Sequence, residues 1–292
     1  MKNQRLRALT LVYLAVLVAC VATLVVRGDF GFGRNPWQNL ARTLSDFSHP
    51  SFVDAWFGPE RLEFTADDGR VLRVENRRLV ERDYLAGIAG ATWTTFVIGT
   101  LGSAIAALLA LPLGFVAARN AQAPRWLASP ARALLNGLRA IHTLVFGLVF
   151  VGIVGLGPMA GILAIAAHSL GTYGKLYSEA IENADAALFE SGLALGFTPW
   201  QVLGQAMRRG FYPQFASIHL YVWEFNVRDS TVLGLIGAGG LGLLVSEAVS
   251  LFQWGRLATL LIVLVALVVA MDRLSALVRN RVLRAPGVPY RA

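Results

Sequence analysis

The residues best suited to chemistry are charged side chains inside a stretch that is otherwise apolar. Glu224, Arg228 and Asp229 lie near the middle of a helix predicted over about 214–236. In a bilayer, one charged group at that depth costs on the order of 2.5 to 3.5 kcal/mol, so such groups should face a bundle interior or a water-filled path. Glu224 precedes Arg228 by four residues, which is the favourable order for a helical ion pair.

Arg228 supports two interpretations of this stretch. Its planar guanidinium suits the oxygens of a phosphate-like anion, so in the first interpretation it lines the route of such an anion. In the second, it neutralises Glu224 and fixes the packing of the helices. The sequence favours neither, and both can hold together. The predicted translocation path consists of Glu224, Asn226, Arg228 and Ser230.

Enzymatic chemistry finds little support in this sequence. Cys20 is the sole cysteine, which excludes disulfides and cysteine-ligated metal. We expect structural, hydrogen-bonded roles for the histidines, since they form neither an HExxH motif nor a close pair: His49, His142, His168 and His219. No nucleophile with a base and no G-x-x-x-x-G-K-[ST] phosphate loop is present. We therefore expect no catalytic residue, no metal and no cofactor in this chain.

The segment 237–242 fits the dinucleotide-binding pattern G-x-G-x-x-G. That pattern requires a preceding buried strand of a βαβ unit, and nothing before it predicts one. Small residues at the end of a membrane helix instead favour a helix break where backbones approach closely. The break is predicted at Gly237, Gly239 and Gly240.

The composition is that of a membrane protein. Of 292 residues, 55% are hydrophobic and 15% are charged, against about 25% charged in typical globular chains. The apolar residues collect in long uncharged runs of roughly the length that a bilayer requires. We therefore predict an all-α, polytopic bundle of about six membrane helices, at about residues 8–26, 84–118, 134–156, 159–175, 213–236 and 252–271.

Two of the apolar runs are longer than one typical membrane span. The run 84–118 is long enough for a cramped pair of helices, but one tilted span is favoured because it leaves the basic residues of 119–139 in the cytoplasm. Gly155, Gly157 and Pro158 interrupt the next run and predict the turn of a two-helix hairpin.

The net charge of +8 is distributed by region. The positive excess lies at the ends of the apolar runs, which is typical of cytoplasmic flanks and predicts both termini inside. Because these residues are scattered between spans, nucleic-acid binding is disfavoured. The nearly neutral segment 27–83 is the predicted extracytoplasmic piece, with a possible β-hairpin around Asp68-Gly69. Packing of that segment on the helices is favoured over a contact site for a soluble partner.

The predicted cytoplasmic loop, 177–212, contains the stretch DAALFESGLALGFTPWQVLGQAMRR at 185–209. Asp185 can cap a short helix, and Gly196 can end it in the left-handed conformation. Thr198 and Gln201 form a capping box that begins a second helix. Two short amphipathic helices on the cytoplasmic face pack on their own bundle or dock into a partner's groove.

This loop resembles the E-A-A-x-x-x-G-x9-I-x-L-P segment of the permease subunits of bacterial ABC importers. Glu190-Ser191-Gly192 stands for E-A-A and Gly196 for the glycine, whereas Ala206 replaces the isoleucine and Arg208-Arg209 the L-P. Further segments resemble the phosphonate importers in particular, over about residues 84–275: VGLGP, HSLGTYGKLYSEAIE and WEFNVRDSTVLGLIGAGGLG. Trp223, Asp229 and Ser230 depart from that subfamily's pattern R-F-E-x-N-V-R-S-A-T-V.

The resemblance implies a permease subunit in the bacterial cytoplasmic (inner) membrane that moves phosphonate or a related oxyanion, such as phosphite or a phosphate ester. It implies a second permease copy or close paralogue, ATPase subunits that hold ATP and Mg, and an extracytoplasmic solute-binding protein. The implied ATPase-coupling residues are Glu190, Ser191, Gly192, Gly196, Thr198 and Trp200.

The predicted organisation has three parts: an N-terminal helix and extracytoplasmic segment at 1–83, a transporter core at 84–280, and a cytoplasmic tail at 281–292. A permease for a different solute is the main alternative, and a secondary transporter, a channel or an intramembrane enzyme is a more distant one. The sequence leaves open which phosphorus compound is carried, whether the permease pairs with itself, and the role of 27–83.

Overall fold

The computed structural model describes residues 2–27, 35–65, 71–121, 123–183, 194–198, 201–202 and 212–283. The chain divides into two compact units, Met1–Ser48 and His49–Ala292. The first unit contains helix α1 (Lys2–Arg27) and helix α2 (Pro36–Phe47). From Leu9 onward the described apolar side chains of α1 are exposed, as suits a helix that contacts lipid.

The second unit begins with a small element that packs on the bundle. It consists of helix α3 (Ser51–Phe57) and two antiparallel strands, β1 (Leu62–Thr65) and β2 (Val71–Glu75). The strands flank the predicted hairpin turn, whose residues 66–70 lie outside the described ones. The Arg82 side chain donates to the carbonyl of Ala55 over 3.1 Å and thereby holds α3 against the bundle.

Helix α4 (Arg77–Ala117) is continuous over 41 residues, which confirms a single helix rather than a cramped pair. Small residues on α4 let other helices approach closely. A Cβ at Gly99 would lie 2.6 Å from the Cα of Val227. Near its start, buried Glu81 accepts from Arg256 over 2.9 Å, and the Arg256 guanidinium lies 4.4 Å from the ring centroid of Tyr84.

The predicted helix 134–156 is wrong. The chain instead forms helix α5 (Arg125–Ala140) and helix α6 (Thr143–Val154), which meet at an angle of 92°. His142 has an extended backbone, and its side chain caps α6 by accepting from the backbone N–H of Leu144 over 3.2 Å. Hydropathy does not predict this change of direction, because the run is apolar on both sides of it. The bend is set by the residues that end α5 and cap α6.

Helix α7 (Pro158–Glu182) lies at the centre of the second unit. Its glycines allow α5 to pack closely, since a Cβ at Gly171 would lie 2.6 Å from the backbone of α5. The ring of Tyr173 is fully buried in a cluster with Tyr177 and Phe215. Turn residues Gly155 and Gly157 precede α7, as the hairpin prediction requires.

Three helices complete the described part of the chain: α8 (Tyr212–Leu233), α9 (Leu241–Ser250) and α10 (Trp254–Leu283). A π-helical turn, Gly234–Ala238, extends α8 toward α9. The extended α8 and α9 are bent by 57°.

Within the described residues, the stretches long and apolar enough to cross a membrane are Leu9–Arg27, Arg77–Ala117 and Trp254–Arg281. Counting each bent pair as one span raises the total to 5. Helix α7 is not among them, because glycine, serine, threonine and histidine interrupt it; an interior helix contacts protein on most sides and needs less apolar surface. The six-span count and the cytoplasmic termini stay predictions.

Candidate translocation and coupling sites

Asn226 joins three helices through a buried hydrogen-bond network. Its side-chain oxygen accepts from Ser169 of α7 over 2.8 Å, and its nitrogen donates to Ser103 of α4 over 2.7 Å. The Ser103 hydroxyl in turn donates to the carbonyl of Gly99 over 2.7 Å. All three polar side chains are buried, so the network fixes the rotation of α8 against α4 and α7.

Ser230 lies on the same buried side of α8. Its hydroxyl lies 2.9 Å from the carbonyl of Thr95 and 2.7 Å from that of Val227, and it can donate to either. Thr95 also accepts from the backbone N–H of Leu241, the first residue of α9, over 2.8 Å. The predicted path residues Asn226 and Ser230 are therefore both held in contacts between helices.

Glu224 and Arg228 lie on a different side of α8, where Arg228 is 46% exposed. An Arg228 Nη atom is 3.5 Å from Glu224 and 4.0 Å from Asp272 of α10. Both contacts are longer than a charge-assisted hydrogen bond, so neither carboxylate holds the guanidinium tightly. The predicted pair is present, and the structure adds a second carboxylate to it.

Asp272 was missed by the sequence reasoning. It directly follows the last predicted span, 252–271. An acidic residue directly after a long apolar run was the available signal, but nothing in the sequence indicates that it faces Arg228. The resulting group contains one guanidinium and two carboxylates: Glu224, Arg228 and Asp272.

The exposed side of α8 forms a ridge of Tyr221, Phe225, Arg228 and Val232, spaced as neighbours on one helical face. Arg228 is thus flanked along the helix by aromatic and aliphatic side chains. The four predicted path residues therefore divide between two sides of α8, and the lining of a path stays a prediction for each of them.

Asp229 has a partner of its own. Its carboxylate accepts from the hydroxyl of Thr143 over 2.9 Å. Thr143 is the first residue of α6, directly after the bend. A carboxylate at a helix N-terminus is stabilised by the helix dipole. The departure from the subfamily pattern at Asp229 is therefore connected with the α5–α6 bend.

The three histidines of the predicted spans all have hydrogen-bond partners. His142 caps α6, and Nδ1 of His168 lies 2.8 Å from the carbonyl of Ile141 at the same bend. Nδ1 of His219 lies 3.1 Å from the Tyr173 hydroxyl. These contacts agree with the structural roles expected for them. Among the residues that the structure describes, no group of three His, Cys, Asp or Glu side chains could hold a metal ion.

The predicted helix break separates α8 from α9. Gly237, Gly239 and Gly240 all have positive φ. At Gly240 φ is 71°, and an added Cβ would lie 2.4 Å from the Thr95 hydroxyl oxygen. The backbone N–H of Gly157 donates to the carbonyl of Gly237 over 3.0 Å, which ties the break to the turn before α7.

The predicted loop 177–212 is wrong at its start, because α7 continues to Glu182. Within 185–209 the structure describes only 194–198 and 201–202, so Glu190, Ser191, Gly192 and Trp200 lie outside the described residues. Gly196 has φ of 80°, the left-handed conformation predicted for it. The Gln201 side chain accepts from the backbone N–H of Thr198 over 2.9 Å, which is one half of the predicted capping box.

The two described ends of that stretch differ in burial. Val202 is 2% exposed and packs in the cluster of Tyr177 and Phe215. Leu195, next to Gly196, is 75% exposed. Val202 thus packs on the bundle of its own chain, whereas Gly196 and Leu195 are exposed.

Comparison with known proteins places this arrangement in a family. Residues 110–284 match the family described as "Binding-protein-dependent transport system inner membrane component". The phosphite transport system permease protein PtxC of Stutzerimonas stutzeri is 41% identical over 186 residues, which are 64% of this chain and 68% of PtxC. The phosphate-import permease protein PhnE of Mycolicibacterium smegmatis is 37% identical over 64% of this chain and 35% of its own length.

A solved structure supports the fold independently. The inward-facing MetNI methionine ABC transporter has a chain that superposes with a TM-score of 0.59 at 22% identity, covering 65% of this chain and 93% of that one. An identity this low bears on the fold alone. The match to the family and the relative of 41% identity carry the assignment. The chain therefore belongs to the family of binding-protein-dependent transport system inner membrane components, the membrane-embedded permease subunits of ABC importers.

Proposed function

We propose that this chain is the permease subunit of an ATP-driven importer that carries phosphite, phosphonate or a related phosphorus oxyanion across the bacterial inner membrane. The observation that carries the proposal is the agreement between two findings. Two relatives whose names give phosphite and phosphate as their substrates are similar in sequence to 64% of this chain. The α8 segment that most resembles the phosphonate importers presents a half-exposed guanidinium, that of Arg228.

The geometry around Arg228 suits passage better than storage of an anion. A tetrahedral oxyanion can offer this guanidinium shorter, charge-assisted hydrogen bonds than its contacts of 3.5 and 4.0 Å. Glu224 and Asp272 repel that anion at the same time, so the bound state is shallow. An importer permease needs a contact of this kind, because a tight site would stop the solute in transit.

The partners belong to the same proposal. The sequence contains no phosphate-binding loop, so ATP and Mg are held by separate ATPase subunits. An extracytoplasmic solute-binding protein delivers the anion, and a second permease copy or close paralogue completes the path. The stretch 185–209 docks on the ATPase, with exposed Leu195 and Gly196 next to the contact.

The test is uptake by the reconstituted complex. Proteoliposomes that contain the permease, its ATPase and its binding protein should accumulate labelled phosphite only when ATP is supplied. Unlabelled phosphite and methylphosphonate should compete for uptake, whereas sulfate, a tetrahedral oxyanion without phosphorus, should not. Uptake without ATP, or uptake of another solute that phosphorus oxyanions do not inhibit, would contradict the proposal.

A further inference from the structure

A second group of basic residues lies outside α8, at the end of α4, in α5 and in α7. The end of α4, the helix α5 and the last turns of α7 enclose a cavity of about 150 Å³. Its polar and charged lining consists of Arg119, Arg132, Asn136, Lys175, Ser178 and Glu182. Three cations thus face one carboxylate across a space with room for a small anion.

Local contacts orient the cations of this cavity. Nε of Arg132 donates to the carbonyl of Ala117 over 2.7 Å, and its Nη groups make no hydrogen bond within the described residues. The ammonium of Lys175 lies 3.1 Å from Glu179 in a half-exposed pair that water screens. Anchoring through Nε leaves the outer edge of the Arg132 guanidinium for a ligand, in the planar geometry that suits phosphate oxygens.

The carboxylate of Glu182 is engaged as well. It accepts from the backbone N–H of Arg119 over 2.9 Å, and the Asn120 side chain donates to the carbonyl of Ile181 over 2.7 Å. These two contacts tie the turn after α4 to the end of α7. The cavity wall is therefore built by backbone contacts, and Glu182 is held in place by a donor other than a cation.

The geometry of helix α5 favours a position of this cavity at a membrane surface. It meets the apolar helix α6 at 92°, so the two cannot both run along the membrane normal. Trp126 and Leu134 of α5 are exposed, at 74% and 50%, while Leu135 is buried against α7. An amphipathic helix with a tryptophan at its start is typical of the interface between headgroups and hydrocarbon.

We propose that the cavity is a binding site for a phosphate group, supplied by an anionic lipid headgroup or by a free phosphorus oxyanion. Basic pockets between membrane helices on the cytoplasmic side recognise such headgroups. Arg119, Arg132 and Lys175 supply the charge, and Ser178 and Asn136 supply neutral hydrogen-bonding groups. The site is separate from Arg228, and it does not depend on the proposed transport substrate.

Two binding experiments on the full chain separate the sources. In nanodiscs of phosphatidylcholine, inorganic phosphate is titrated calorimetrically against chloride at equal ionic strength. In neutral detergent, native mass spectrometry counts bound short-chain phosphatidylglycerol against phosphatidylcholine of equal chain length. Saturable binding of phosphate assigns the site to a free anion, and selective retention of phosphatidylglycerol assigns it to a lipid.

The variants decide whether that binding occurs in the cavity. The double variant R119Q/K175Q should bind about tenfold or more weakly, since two charge-assisted contacts are lost. R125Q, which removes an α5 arginine outside the cavity lining, should bind as wild type does. E182Q keeps an oxygen for the backbone of Arg119 but removes the opposing charge, and it should bind about threefold more tightly.

The proposal is overturned if wild type binds neither probe saturably, or if R119Q/K175Q binds as tightly as R125Q. Should the double variant fail to elute as a monodisperse protein, E182Q replaces it. In that case, binding by E182Q no tighter than by R125Q overturns the proposal, and tighter binding supports it.

Discussion

The buried side of α8 holds neutral polar residues, whereas the exposed side holds a charged pair, and their contacts differ accordingly. On the buried side, Asn226 and Ser230 make hydrogen bonds of 2.7 to 2.9 Å with α4 and α7. On the exposed side, Arg228 makes ion-pair contacts of 3.5 and 4.0 Å, one of them with α10. Short, buried and fully partnered contacts determine structure, whereas long and exposed ones leave a group available to a ligand.

This contrast separates two roles that the sequence had combined. All four predicted path residues are polar and lie within seven positions of one helix, and the sequence alone predicts one path for all of them. Their angular positions on α8 do divide them once the neighbouring helices are known. The contrast predicts that substitutions on the two sides will affect stability and transport in opposite proportions.

The largest effect is expected for Arg228→Leu. Uptake by the reconstituted complex should fall to background, because the guanidinium that we propose meets the anion is removed. The free energy of unfolding should change less than for a substitution on the buried side, because the contacts of Arg228 are 3.5 and 4.0 Å long. Co-purification with the ATPase should persist. R273L, one residue after Asp272, is the matched control and should retain uptake; uptake near wild type in R228L would remove Arg228 from the path.

The reverse pattern is expected for Asn226→Leu. This change keeps the number and branching of the side-chain heavy atoms but removes the hydrogen bonds to Ser169 and Ser103. It should destabilise the protein by about 1 to 3 kcal/mol. Thermal unfolding in detergent measures that loss. Uptake per folded molecule should stay within about threefold of wild type. Y221F on the exposed side is the control, and equal melting temperatures for the two variants would contradict the division of α8.

Much of the architecture follows from the sequence because hydropathy and helix-end signals are local. The run 84–118 predicted one helix, and Gly196 and Gln201 predicted the loop geometry that the structure shows. The four-residue spacing of Glu224 and Arg228 likewise predicted their pair. Each of these inferences needs information from within a few turns of one helix.

What the sequence could not provide is contact between distant segments. Thr143 and Asp229 are 86 residues apart, and nothing local to either residue indicates their hydrogen bond. The same holds for Arg228 and Asp272. The predicted helix 134–156 missed the bend at His142 for a related reason. Two extended residues, Ile141 and His142, are enough to end one helix and begin another, and they do not interrupt the apolar run. The division of α8 into two sides depends on these contacts and became visible only with the fold.

Gly240→Ala tests whether the tight packing on the buried side of α8 continues into the helix break between α8 and α9. A side chain at φ of 71° is strained, and the new Cβ would lie 2.4 Å from the Thr95 hydroxyl, which bonds the start of α9. We expect a loss of about 2 kcal/mol in the free energy of unfolding. Gly90→Ala on α4, where an added Cβ meets nothing within 4 Å, is the control and should be neutral or slightly stabilising.

If G240A and G90A melt at the same temperature, the tight packing on the buried side of α8 does not continue into the helix break. The hydrogen bonds of Thr95 to Ser230 and to the start of α9 would then not stabilise the fold measurably. A selective loss of uptake in G240A at unchanged stability would instead assign the break to the moving parts of the transporter.

The smallest effect, and the sharpest test of the exposed side, is expected for Asp272→Asn. The substitution preserves the shape of the side chain but removes one of the two carboxylates that face Arg228. An anion then meets less repulsion, so the apparent KM for uptake should fall by about two- to threefold, which corresponds to less than 1 kcal/mol. Stability should stay within about 0.5 kcal/mol, because a contact of 4.0 Å at half exposure stabilises little. An unchanged KM together with a lower melting temperature would show that Asp272 only supports packing, and that the exposed side of α8 is structural like the buried one.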